Sequence, residues 1–424
     1  MKWVSPFRVL KNQRGVALFL AITSVALIAF IAVELSYDTA SEYLISSQEI
    51  QRLKSRYAAK AGVEISLLRL HIYQKVQKQY GKQLGNNRQV LDQIWNTPFM
   101  WPPMIPEEGH AVDKDQMETV TKESLMEAKY LATIQSESSK IDLTDLVSPS
   151  KGLAAYTKKT LIQLIENRLQ ADDEWAKNNR DLNAQTLVNN LIDWMDADNV
   201  SLNSGDEGSY YSKIEDSKLP PNQPFKTLDE LHIVSGITDE IFEFLAPAVT
   251  IYGVKGLQVN HAESSVLQSL APTISAELAQ EIIDRRSGED GPFQSEKQFY
   301  DFLASRGIDT KPIEEQNIPL IFDSEFNFRI TSTGNYGRTS SEIVAIVYDF
   351  DKVKERLSSV LTKEKKAGTA AGETTGQATG QAAGQATGDT NTGSGTAGDG
   401  GSSAQEGQSA SQKGRPPIVY WMEK

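Results

Sequence analysis

The chain has 424 residues, 39% of them apolar, and 43 basic against 56 acidic side chains leave a formal charge of −13. That length can bury more than one core, and the acidic balance argues against a surface built to hold phosphate backbones. There is no cysteine, which excludes a disulfide framework, so an exported domain of this chain is held by its cores or by a metal.

The chain opens with a basic leader. Lys2, Arg8, Lys11 and Arg14 precede the first carboxylate of the sequence, Glu34. An unbroken apolar or small run, Val16 to Val33, follows the leader directly. At about 1.5 Å per residue it spans close to the ~30 Å hydrocarbon core of a bilayer. Basic residues before the run and acid after it put the N-terminus in the cytoplasm and the bulk outside. A secretory signal has a shorter apolar core and a small-x-small cleavage site after it. Here the position that looks like a processing signal is Gly15, ahead of the run, so a cut between Gly15 and Val16 leaves the apolar helix attached. A charged leader ending in Gly before such a helix resembles the prepilin-type signal of type IV pilins and type II secretion pseudopilins. In that resemblance Leu20 is the fifth mature residue, where major pilins and pseudopilins carry Glu. The alternative is a plain signal anchor without cleavage.

From Glu34 to about Tyr80 there is no proline and one glycine, Gly62. Apolar or small residues recur at Leu44, Ile50, Leu53, Tyr57, Ala61, Ile65, Leu68 and Ile72, which predicts one long helix with a stripe that a sheet must cover. Residues 96–110, with Pro98, Pro102, Pro103 and Pro106, read as an ordered loop. Strands are predicted at Tyr130 to Gln135 and Lys140 to Leu143, and a helix-rich block runs from about Thr157 to Leu303. Beyond it Phe326 to Thr333 and Glu342 to Phe350 alternate as strands, with turn chemistry at Gly334-Asn335-Tyr336-Gly337. The Gly-, Thr-, Ala-, Gln- and Ser-rich segment after about Lys366 cannot pack a core and reads as a flexible loop. Pro417 to Trp421 then reads as one more strand, a closure that loop entropy tolerates. The alternative is a disordered tail with a sticky end.

Within the helical block, Asp193, Asp196 and Asp198 are followed by Asp206 and Glu207, in a stretch with Gly205 and Gly208. Such a carboxylate set suits a hard cation, and calcium is the ion that prefers it outside the cell. The spacing does not match an EF-hand loop. The alternative is a solvated acidic loop with Asp193 capping a helix. Residues 225–245 and 259–286 each read as a pair of short helices, and both units resemble helix-hairpin-helix or SAM-like modules. Such modules hold DNA through basic hairpins and backbone amides. Here Glu230, Asp239, Glu240 and Glu243 flank the Ser235-Gly236-Ile237 hairpin, and only Arg285-Arg286 form a basic pair, so nucleic acid is not an expected partner. A DNA-uptake protein using these modules remains the alternative function.

Taken together, Asp193-Trp-x-Asp196-x-Asp198, Gly205-Asp-Glu207, Tyr210-Tyr211, Leu228-Asp-Glu-Leu231 with Gly236-Ile237, Pro247 with Val249-Thr-Ile-Tyr252, and Val259-Asn-His-Ala262 resemble the type II secretion K family of minor pseudopilins. The match runs from the leader to about residue 306. The departures are His261, where the family usually has Asn or Thr, Val16 as first mature residue, and the low-complexity insert. The resemblance implies an α+β fold with a long N-terminal transmembrane helix and a pilin-like α/β domain carrying a large inserted α-helical domain. It divides the chain into a leader (1–15), a membrane helix (16–33), a first pilin-like part (34–150), the helical insert (151–310), the sheet (311–365 and 415–424) and a low-complexity loop (366–414). It further implies a single-pass inner-membrane protein at the tip of the pseudopilus, helping to initiate its assembly and export across the outer membrane. The expected partners are the I-type and J-type minor pseudopilins and the major pseudopilin, with a prepilin peptidase as processing enzyme. No catalytic constellation is present: the four histidines lack metal-ligand spacing, and neither a Gly-x-Ser-x-Gly elbow nor a phosphate loop occurs. A structural and assembly role is the expectation.

Overall fold

No proline lies between Pro6 and Pro98, and the apolar run continues without a break into a single helix, α1 (Gln13–Tyr80), of 68 residues. The computed structural model describes residues 13–81, 88–103, 111–212, 219–314, 319–373 and 416–424. After α1 come α2 (Arg88–Asn96), β1 (Phe99–Trp101), α3 (Ala111–Glu123), β2 (Lys129–Ser136) and β3 (Ile141–Asp142). The helical block holds α4 (Lys151–Ala171), α5 (Asp173–Asn178), α6 (Ala184–Met195), α7 (Gly208–Tyr211) and α8 (Asp239–Leu245). It continues through β4 (Val249–Thr250), β5 (Leu257–Gln258), α9 (Ser264–Gln268), α10 (Ala276–Ser287), α11 (Glu296–Ser305) and α12 (Lys311–Glu314). The chain closes with β6 (Leu320–Ile321), β7 (Phe328–Tyr336), β8 (Thr339–Val347), α13 (Phe350–Glu373) and β9 (Ile418–Glu423).

Five strands form one sheet in the order β1-β2-β7-β8-β9, every neighbouring pair antiparallel. Burial alternates along β7, as it must where one face is packed and the other is not. That inner face lies on α1: Ala59, Val63, Leu67, Leu70 and Tyr73 share a core with Ile134, Phe328, Ile330, Ile343, Ala345 and Val347. The stripe read from the large apolar residues is therefore not the face the sheet covers. Leu44, Ile50, Leu53, Tyr57, Leu68 and Ile72 are all exposed. The face the sheet covers combines Val63, Leu67, Leu70 and Tyr73 with a seam of small residues, Ser55, Ala58, Ala59, Gly62 and Ser66, whose side chains let the helix axis approach. Two glycines make that approach possible. A Cβ at Gly62 would stand 2.2 Å from Ser332 Oγ, and one at Gly334 only 2.0 Å from the Ser55 carbonyl oxygen.

Several expectations are corrected in detail. Gly334 lies inside β7 rather than in the turn, which is formed at Gly337 with φ +59°. The proline-rich loop contains β1, paired to β2; residues 104–110 lie outside the described residues. The segment after β8 is not sheet, because α13 runs to Glu373 and so enters the stretch read as a flexible loop; the rest of that stretch, 374–414, lies outside the described residues, as does the leader over 1–12. The second core belongs to the helical block and shares no residue with the first: Leu161, Leu164, Val188, Leu191, Trp194, Leu231, Val266, Leu267, Ile282 and Phe299 are among its members. The chain leaves the sheet at the end of β2 and returns at the start of β7, so this block is an insertion between two neighbouring strands.

Candidate metal centre and N-terminal segment

α6 is started by Asn183, whose side chain accepts from the Thr186 amide at 2.9 Å, and it buries Leu187, Val188, Leu191, Trp194 and Met195. Trp194 stacks on Phe225 at 6.0 Å and meets Tyr211 edge-on, so the end of the helix rests on an aromatic floor. Asp193 does not cap a helix start. It sits in the last turn of α6, and its carboxylate accepts from Ser201 Oγ at 2.8 Å and from the Leu202 amide at 3.1 Å. That pair folds the following loop back over the helix end. Ser204 and Gly205, at φ 76° and 104°, turn the loop, and a bridge between Val200 and Asp206 zips its two arms. Glu207 is thereby delivered to the start of α7, beside the C-cap residue Asp196.

One carboxylate oxygen from each of Asp193, Asp196 and Glu207 lies within 4.8 Å of the others. Glu207 is 5% exposed. Both its carboxylate oxygens, and Oδ1 of Asp196, are buried without a hydrogen-bond partner among the described residues. Burial, followed by the charges of Asp196, Asp193, Asp198 and Asp206, pushes the Glu207 carboxyl up to about 7. Asp196 is raised for the same reasons, burial first and then Asp198 and Asp193. A buried acid that lacks donors and faces like charges is expensive. Calcium, which takes about six to eight oxygens, resolves both costs at once, so the donor set fits such an ion. The structure does not bring in the other two predicted residues. Asp198 and Asp206 are exposed, and Asp198 Oδ1 accepts from the amide of Val200 at 2.8 Å.

At the other end of the chain, Gly15 and Val16 lie in the first turn of α1, with nothing within 4 Å of a Cβ at Gly15. Val16 is 57% and Leu20 58% exposed. α1 is the one helix among the described residues that is long and apolar enough to cross a membrane, and none of its apolar window is buried. His261, a departure noted in the sequence, packs edge-on against Trp95 at 5.1 Å with Asp92 at 3.7 Å, where the helical block meets α2. Sequence reasoning missed α2, although Leu91, Ile94 and Trp95 carry helical spacing. It also missed the buried acids Glu137, between Ser136 and Ser138, and Glu325, between Ser324 and Phe326.

Residues 139–254 match the family model described as type II secretion system (T2SS), protein K. A protein of Escherichia coli (strain K12) named for type II secretion system protein K is 24% identical over 250 residues. That alignment takes in 59% of this chain and 65% of the relative. The fold is similar to a chain in the crystal structure of the GspK-GspI-GspJ complex from the type 2 secretion system of enterotoxigenic Escherichia coli, with a TM-score of 0.50 and 16% identity. This likeness covers 73% of the present chain and 95% of that one. With an α+β fold in which the sheet is interrupted by a helical block and the matched region spans the start of that block, the chain is similar to type II secretion protein K in the sequence of that block and in fold.

Proposed function

We propose that the chain is a minor pseudopilin of the K type, a structural component of a secretion machine rather than an enzyme. The observation that carries this reading is α1: its membrane-length apolar segment is wholly exposed, while its distal part is the spine of the sheet. A helix so divided anchors a folded domain directly to a bilayer. The basic leader sets the N-terminus in the cytoplasm, so the domain stands in the periplasm. A prepilin peptidase cuts between Gly15 and Val16, and the mature chain starts with the apolar helix. Leu20, at the fifth mature position, has no charge to pair with the terminal amine of a subunit above, which suits the first subunit of the filament. The exposed stripe at Leu44, Ile50, Leu53, Tyr57, Leu68 and Ile72 is the surface on which the α1 helices of the I-type, J-type and major pseudopilins pack. Calcium is held by Asp193, Asp196 and Glu207, with Asp198 and Asp206 adding to the field around it, and fixes the loop between α6 and α7.

Deletion and complementation test the reading. Removing the gene should stop export of folded periplasmic cargo while leaving inner-membrane insertion of other proteins intact, and tagged protein should co-purify with I-type and J-type subunits. Export unchanged by the deletion, together with a protein that stays monomeric beside every pseudopilin, refutes it.

A further inference from the structure

Between the two cores of this protein lies a buried polar layer, beside a small apolar cluster of Val254, Ile321, Phe326 and Val353. The chain crosses between them on two neighbouring segments, after β2 and before β7, and the backbone amide of Glu137 donates to the Asn327 carbonyl at 3.0 Å where they run side by side. A carboxylate on each segment is almost completely buried, Glu137 at 0% and Glu325 at 3% exposure. Glu325 accepts from the hydroxyls of Ser136 and Ser138 and from the backbone amides of Phe326 at 2.7 Å and Asn327 at 3.0 Å. Glu137 accepts from Thr250 Oγ1, on β4 in the helical block, and from Arg329 Nε, on β7 in the sheet; Lys140 Nζ stands 3.7 Å away. Asn327 ties the same two sides, its side chain donating to the Tyr252 carbonyl at 3.2 Å and accepting from the Asp349 amide at 2.9 Å. Lys255, held at φ 62°, closes the layer by donating to Asp142 at 2.9 Å and Asp145 at 2.8 Å.

Apolar burial is non-directional, whereas a buried carboxylate demands donors in fixed directions. It is tolerated only where its oxygens meet donors in good geometry, and losing one donor leaves an uncompensated buried charge. Glu137 has donors on both units at once, and Glu325 binds the two crossing segments together. Only one relative orientation of the units satisfies all of these groups.

We infer that Glu137 and Glu325 are positioning residues that lock the helical insert at a single angle to the α1 spine, so that the two units turn as one body. The lock confers orientation rather than net stability. The absence of native cysteine makes a direct test simple. Spin labels are placed on the full chain in detergent through K60C on α1 and K177C on α5, both at exposed positions, and the distance distribution is read by pulsed electron resonance. The parent should give one narrow peak. Glu137→Ala with Glu325→Ala should lose it, the distribution broadening or splitting while circular dichroism keeps its helical signal. Should that pair of changes unfold the protein, Ser136→Ala with Ser138→Ala removes only two donors from Glu325 and should broaden the peak in a folded chain. A parent distribution that is already broad or bimodal overturns the inference. So does a peak as narrow as the parent's in whichever variants fold.

Discussion

Chelation is the perturbation that bears most directly on the acidic loop. Without an ion, Asp193, Asp196 and Glu207 hold carboxylate oxygens within 4.8 Å of one another, and both oxygens of Glu207 lack a donor among the described residues. An ion that binds only the folded state adds RT ln(1 + [L]/Kd), about 2.7 kcal/mol at a hundredfold excess over its dissociation constant. On a folding unit of this size that corresponds to a rise of about 5–10 °C in melting temperature. Trp194 lies between Tyr211 and Phe225 under the loop, but it is one of six tryptophans, so the melt is followed by circular dichroism. The expected result is a higher midpoint in calcium, reversed by chelator. Glu207→Gln sharpens the test because it keeps the shape and removes one charge. It should raise the midpoint of the chelated protein, by relieving repulsion, and abolish the response to calcium. Relief and lost response together have no explanation in a plain surface loop. A melt indifferent to calcium and chelator, or a Glu207→Gln protein that still responds like the parent, refutes the metal centre.

Gly15→Trp should block processing, whereas the parent protein should give Val-Ala-Leu-Phe-Leu on N-terminal sequencing; an intact Met1 in the parent would count against cleavage. Leu53→Glu, on the exposed stripe, should reduce co-purification with I-type and J-type pseudopilins while circular dichroism and melting stay close to the parent. Gly334→Ala should cost about 3 kcal/mol in urea unfolding, because the new methyl meets the backbone of α1 2.0 Å away and neither element can yield cheaply. His261, pushed down to about 4 by burial and by Arg286, is neutral in the fold and takes up its proton more readily when unfolded. Stability should therefore be full above the unfolded value of about 6.5 and fall by up to about 3 kcal/mol as pH drops towards 4, and His261→Asn should flatten that limb of a pH–stability profile.

α1, β7, β8 and β9 were legible because their patterns are local: an apolar run without proline in α1, alternation in β7, and short runs of β-branched and aromatic residues in β8 and β9. The acidic loop was legible as a composition but not as a set. Which acids converge depends on a left-handed turn at Ser204 and Gly205 and on the Val200–Asp206 bridge, and these bring together residues that spacing alone ranks equally. Asp198 was as good a candidate as Asp196, yet its oxygen is taken by an amide two residues on, a short-range bond that competes with any distant partner. The stripe on α1 misled for a different reason. Large apolar residues occur on both faces of the helix, and the sheet selected the face where Val63, Leu67, Leu70 and Tyr73 accompany a seam of small residues that lets backbone meet backbone. The charges between the two cores have no periodic signature at all, since they answer to neighbours more than a hundred residues away.

That reversal on α1 changes what the outward stripe means. Had the sheet covered Leu53, Tyr57 and Leu68, the helix would be satisfied once folded. As it stands, the apolar surface that begins in the membrane-length segment continues past it, through Tyr43, Leu44, Ile45 and Ile50, onto the part of the helix that the sheet supports from behind. A second helix anchored in the same bilayer meets this surface already parallel to it and confined to two dimensions. Confinement of that kind acts as a raised effective concentration, so modest apolar contact is sufficient for assembly in the membrane while the same contact is weak between detached domains. On the proposed reading the spine and the stripe are two faces of one helix with separate duties, close packing within the subunit on the sheet side and association between subunits on the exposed side.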